Sequence, residues 1–215
     1  MEAKGLSEKL AELLKDIDAW AVGRRSRPTH ASHEIRVIEY ERWQELSSTF
    51  ALFLESKIPN QWTEHEKDSV RHAIEIDWAH QRLLDALQEN QLEHLLVMPY
   101  PDQVIRMYML TRGSRIENRS LRMRIALHFF EDDQSEAVKA RAFEILARNK
   151  WDRTNHFATG WWESGDSLKR ITSLNALQAA DSELLSEYLA LAVQSDDKEL
   201  QLIAKSMLML KSDGL

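Results

Sequence analysis

No proline follows Pro101 in this 215-residue chain, and glycine occurs only six times. Proline removes a backbone donor and clashes with the preceding turn, so a long stretch without it can run as uninterrupted helices. The other prolines, Pro28, Pro59 and Pro99, punctuate the first half. Apolar residues recur at helical spacing, and no segment alternates as a half-buried strand would. Leu6, Leu10, Leu13, Leu14 and Ile17 mark a first helix, closed by the basic turn Gly23-Arg24-Arg25-Ser26-Arg27-Pro28. A second helix is expected over about 32–57. Thr63-x-x-Glu66 has capping-box spacing and opens a third, carrying Val70, Ile74, Trp78 and Leu84 towards about residue 88. Shorter helices are expected over 92–98 and 102–111. The predicted class is all-α.

From about residue 120 the pattern becomes periodic. Val138, Lys169 and Leu200 stand 31 residues apart, with a small residue at the fifth position (Ala142, Ser173, Ala204) and leucine at the ninth (Leu146, Leu177, Leu208). Between these inner helices lie candidate outer helices at 120–130, 154–163 and 182–194. The acidic turns Glu131-Asp132-Asp133 and Ser195-Asp196-Asp197 suit helix amino termini. Small residues let neighbouring helices approach and leucines fill the seam, which predicts a stacked α-solenoid with a continuous core. An irregular helical bundle with coincident spacing is the alternative. Residues 1–115 are read as an N-terminal helical layer capping a repeat region at 116–215, within one continuous domain.

The chain contains no cysteine, which excludes disulfides, thiolate catalysis and cysteine-ligated metals. No run approaches the roughly 18 apolar residues of a membrane span, and the amphipathic amino terminus lacks a signal-like apolar core. A cytoplasmic protein without cofactor or membrane contact is expected. The net charge of −7 disfavours a general nucleic-acid binder. Residues 104–170 nevertheless hold 13 basic against 9 acidic side chains. The densest basic stretch contains Arg106, Arg112, Arg115, Arg119, Arg122 and Arg124, opposed only by Glu117. It suits a salt-sensitive contact with duplex DNA, or simply a solvated helix face.

The one chemically suggestive cluster is Trp161-Trp162-Glu163-Ser164-Gly165-Asp166-Ser167-Leu168. On a continuous helix, Trp162 and Asp166 would share a face and could meet one substrate. The same residues also suit ordinary core and rim aromatics beside a solvated turn carboxylate. On the third helix His72, Glu75, Asp77 and His80 have ligand-like spacing, and Glu41 and Glu45 could add carboxylates from the second. The favoured reading for them is surface, with no metal site. His33-Glu34 and His65-Glu66 lie off the repeat helices and are set aside.

The block from about 130 to 211 resembles the HEAT-like repeats of bacterial alkylpurine DNA glycosylases of the AlkD type. The resemblance is carried by residues 136–146, by Trp161 to Ser167, by Glu183-Leu184-Leu185-Ser186-x-Tyr188-Leu189, and by Ser195-Asp196-Asp197-x-x-Leu200-Gln201. It implies a HEAT-like solenoid that acts on DNA, excising N-alkylated purines or only binding such DNA. Asp166 would be the catalytic carboxylate, Trp162 the aromatic facing the nucleotide sugar, and Trp161 with the arginines part of the DNA contact. Loss of a cationic purine leaves an oxocarbenium-like sugar, which a carboxylate and an aromatic face both stabilise. Three departures stand out. Leu202 occupies the position of the family's phosphate-contacting arginine, a later family tryptophan has no counterpart, and Gly165 replaces an apolar residue. The second functional class is a non-catalytic helical-repeat adaptor or inhibitor gripping a protein, with the acidic remainder suiting a basic partner such as a nuclease toxin.

Overall fold

The computed structural model describes residues 3–25, 41–78, 81–85 and 87–212. Among these there are eleven α-helices, one 3₁₀ turn and no strand, so the all-α expectation holds. None of these helices is long and apolar enough to cross a membrane. The chain forms two compact units, Met1–Ile116 and Glu117–Leu215.

The first unit contains α1 (Ala3–Arg25), α2 (Trp43–Ser56), a 3₁₀ turn (Pro59–Gln61), α3 (Glu64–Asp77), α4 (Glu89–Leu96) and α5 (Gln103–Gly113). The leucine stripe read from the sequence is the buried face of α1: Leu6, Leu10, Leu13, Leu14 and Ile17 all lie in the core. They pack against α2 and α3. Of the expected second helix, 43–56 is helical, while 26–40, including His33 and Glu34, lies outside the described residues. The capping box forms as read. The Glu66 amide donates to Thr63 Oγ1 at 3.3 Å, and the Thr63 amide donates to Glu66 Oε2 at 2.6 Å.

The third helix stops well before residue 88. Its last residue, Asp77, is fully buried, and Asp77 Oδ2 accepts from the Arg82 amide at 2.7 Å, the Leu83 amide at 2.9 Å and the Tyr108 hydroxyl at 2.6 Å. One carboxylate thus ties down the chain that leaves α3. Gln81 within that turn takes a positive φ of 57°. The apolar spacing continued past this point, but Leu83 and Leu84 reach the core from turn rather than helix.

The second unit contains α6 (Arg119–Asp132), α7 (Glu136–Arg148), α8 (Thr154–Glu163), α9 (Ser167–Ala179), α10 (Leu185–Val193) and α11 (Lys198–Ser212). Successive helices pair as α6 with α7, α8 with α9 and α10 with α11, and α9 also packs against both α7 and α11. Short connections make each pair antiparallel. Ala142, Ser173 and Ala204 are all fully buried, and the Ser173 hydroxyl donates to Ala158 O at 3.0 Å and Lys169 O at 2.8 Å, joining α9 to α8. Leu146 and Leu177 are also fully buried. Leu208 departs from the predicted seam: it is 43% exposed, and Met207 turns inward in its place. Glu131 and Asp132, expected in a turn, instead complete α6.

Positions 31 apart share more than side-chain type. Ser135, Asp166 and Asp197 each accept a backbone amide in the first turn of the following helix: Val138 at 3.4 Å, Lys169 at 2.9 Å and Leu200 at 3.1 Å. At the far ends of α7 and α9, Lys150 and Asp181 both adopt left-handed backbone, with φ of 56° and 54°. The next amides, of Trp151 and Ser182, reach back to Leu146 O at 3.2 Å and Leu177 O at 2.9 Å. This is one helix-terminating turn used twice. The two left-handed residues form an ion pair with each other, and Asn175 donates to Glu144 at 2.8 Å, again across 31 residues.

Candidate functional site

The Trp161–Leu168 segment is not one helix. α8 ends at Glu163, Ser164 caps it, Gly165 turns with φ of +78°, and Asp166 begins the next helix as its N-cap. Trp162 and Asp166 therefore lack the shared helical face that continuity would give them. Gly165 is not a helix-interior glycine; it supplies the left-handed residue that the turn requires. Asp166 is exposed, with Oδ1 accepting from the Lys169 amide. It stands in register with the caps Ser135 and Asp197.

The two tryptophans go to different neighbours. Trp161 is half-buried against Phe143 at 5.1 Å and Phe130 at 5.8 Å between ring centres, with Lys169 Nζ at 5.9 Å. Trp162 meets Tyr188 edge-on at 4.9 Å, and the Arg170 guanidinium lies over its ring at 5.5 Å while donating from Nε to Trp162 O at 3.1 Å. The Trp162 face is thus already occupied by a cation of the same chain.

The arginines are divided by their surroundings. In the first unit, Arg112 is buried and bonds Asp85 at 2.8 Å, while Arg106 donates to Tyr100 O at 2.9 Å and Pro101 O at 3.0 Å. Arg115 is exposed beyond the end of α5. In the second unit, Arg119 and Arg122 converge on the cap of α7: Arg119 Nε donates to Asn149 O at 3.1 Å, and Arg122 Nε to Asn149 Oδ1 at 2.8 Å. These cations meet carbonyl ends of a helix, where positive charge is favourable. Arg124 is exposed on α6. Leu202 is 66% exposed.

No family model, curated protein or solved structure matches the chain.

The residues weighed as metal ligands are engaged separately. His72 Nε2 lies 3.2 Å from Asp18, Asp77 holds the turn after α3, and Glu45 pairs with Arg42 and Lys9 at 2.9 and 2.8 Å. Hydrogen bonding from Arg42 and then Lys9 lowers the Glu45 carboxyl to about 2. His80 lies outside the described residues. Among the described residues no three or more such side chains are grouped to hold a metal ion.

Sequence reading missed a cavity beside Trp161. It has a volume of about 340 Å³ and is lined by the rings of Phe130, Phe157 and Trp161 together with Glu131, Glu136, Lys139 and Lys169. The available signal was the i, i+4 pair Phe157 and Trp161, one helical turn apart on α8. The supporting ring Phe130 and the carboxylates come from the preceding helices, and local spacing does not reveal that convergence.

Proposed function

We propose that this chain is a HEAT-like helical-repeat module that binds a protein partner and performs no glycosylase chemistry. The observation that carries this reading is the series Ser135, Asp166, Asp197. The carboxylate that catalysis would require is the second of three helix caps at one register. Its partner aromatic, Trp162, lies beneath Arg170. Stacked helix pairs characteristically serve as extended binding surfaces. This one exposes large apolar side chains on α11, with Leu202 and Met209 each at 66% and Leu210 at 51%. Recurrence of caps, left-handed turns and small buried residues every 31 positions supports the repeat assignment.

The DNA-repair reading keeps one specific support: Trp162 and Asp166 both reach solvent, on either side of a single turn. Incubation with duplex DNA containing 7-methylguanine separates the two readings. The expected result is no base release above the uncatalysed rate. Release by the wild type that Asp166→Asn abolishes would overturn the module reading, because asparagine also caps helices and so removes charge without removing the cap. The positive arm places a photoreactive residue at Leu202, with Lys67 as the control position. Cross-linking in the protein's own cells should trap one defined protein from Leu202 only.

A further inference from the structure

We propose that the exposed face of α11 receives an amphipathic helix of the partner protein, one whose apolar row is bordered by aspartate or glutamate. This rests on the interaction-module reading and names the partner's chemistry at the Leu202 surface. Leu202 and Met209 stand seven residues apart, so they lie on one line along α11. Both are 66% exposed, and Leu210 beside Met209 is 51% exposed. The opposite side of the helix is used by the core, where Leu200, Ala204 and Met207 are buried. Ser206 stands one turn from both Leu202 and Leu210, and a small residue there lets a second helix axis come close. Anchors at i, i+7 and i+8 around a small residue are how one helix offers itself to another.

Charge selects the kind of helix. Lys198 and Lys205 precede Leu202 and Met209 by one turn each and border the row along one side. Both are exposed, and neither makes an ion pair or side-chain hydrogen bond among the described residues. The other border holds Ser206, Leu210 and, at its amino-terminal end, Glu199. Two ammonium groups against one carboxylate leave this face locally positive, and carboxylates beside the apolar row of an incoming helix would meet the lysines. The chain's net charge of −7 does not oppose this at contact, because at physiological salt exposed charges beyond about 8 Å are largely screened. A second copy of α11 fits worse, since it brings two more ammonium groups to a face that already has two. A membrane surface calls for a broad apolar face to insert, and this one is a single row.

The test uses the full chain and an alanine-rich peptide of about 20 residues, long enough to be helical, with leucines at i, i+4 and i+7 and glutamates bordering that row. Its counterpart carries lysine for each glutamate. Binding is read by NMR at the labelled methyl group of Met209, assigned with Met209→Leu. The glutamate peptide should shift this resonance saturably and bind about fivefold more tightly than the lysine peptide, the difference expected of two exposed ion pairs. Lys198→Gln combined with Lys205→Gln should remove that preference. The melting temperature should not move, since neither lysine holds another group. No shift with the glutamate peptide, or equal binding of the two peptides, would overturn the proposal. So would a Met209 shift that grows with protein concentration alone, which assigns the face to a second copy, or co-sedimentation with phosphatidylserine vesicles, which assigns it to a membrane. Such a result with the Leu202 cross-link intact removes the acidic helix alone; loss of the cross-link removes the module reading itself.

Discussion

Asp166 illustrates how one side chain can satisfy a motif and a simpler need together. Because it caps α9, Asp166→Ala should lower unfolding free energy by about 1 kcal/mol, whereas Asp166→Asn should stay within a few tenths, both measured by urea denaturation. The adjacent Gly165→Ala should cost about 1–2 kcal/mol in the same measurement. Space is not the reason, since an added Cβ would meet only Arg170 Nη2 at 3.9 Å; the φ of +78° is. Titration offers a separate check in the first unit. Burial raises the Asp102 carboxyl, but Arg71 and the amides of Ile105 and Val104 more than reverse this and leave it below the usual carboxylate range. Glu66 is lowered in the same way, with Lys57 and Thr63 outweighing burial. A folded-state value below the unfolded one gives stability that is present above the unfolded value and is lost as pH falls through the folded one. Melting temperature should therefore drop as pH goes from about 4 towards about 2. Asp102→Asn should flatten that slope.

Elements were legible where the deciding residues are neighbours in sequence. The α1 stripe and the Thr63–Glu66 box are set by residues three or four positions apart, and the small residues at 142, 173 and 204 by a recurrence of 31; each is where spacing put it. One boundary was missed. α3 stops at Asp77 because that carboxylate holds the following turn together with Tyr108, 31 residues away, and apolar periodicity carries no trace of such a bond. The break between α8 and α9 was legible, since the outer helix expected over 154–163 ends where α8 does; only the shared face of Trp162 and Asp166, which needed a continuous helix, does not form. Arg112 looked like part of a basic surface because its partner Asp85 lies 27 residues earlier. The buried small positions give an element-scale prediction. Ala142→Leu should cost about 1–3 kcal/mol by overpacking. Leu208→Ala, on the exposed side of α11, should cost far less, with both followed by thermal and chemical unfolding.

For the whole molecule, the acidic balance and the internal use of Arg112, Arg119 and Arg122 predict no DNA retention in a gel-shift assay even at low salt. Salt-sensitive retention would return the exposed Arg115 and Arg124 to consideration as phosphate contacts. The Lys150–Asp181 pair has a broader consequence. Because residues 31 apart meet face to face, copying a segment faithfully would set lysine against lysine, or aspartate against aspartate. Opposite charge is therefore needed at this one position for the two segments to pair. The caps and the small buried residues, by contrast, could be copied unchanged, because they act within their own helix pair.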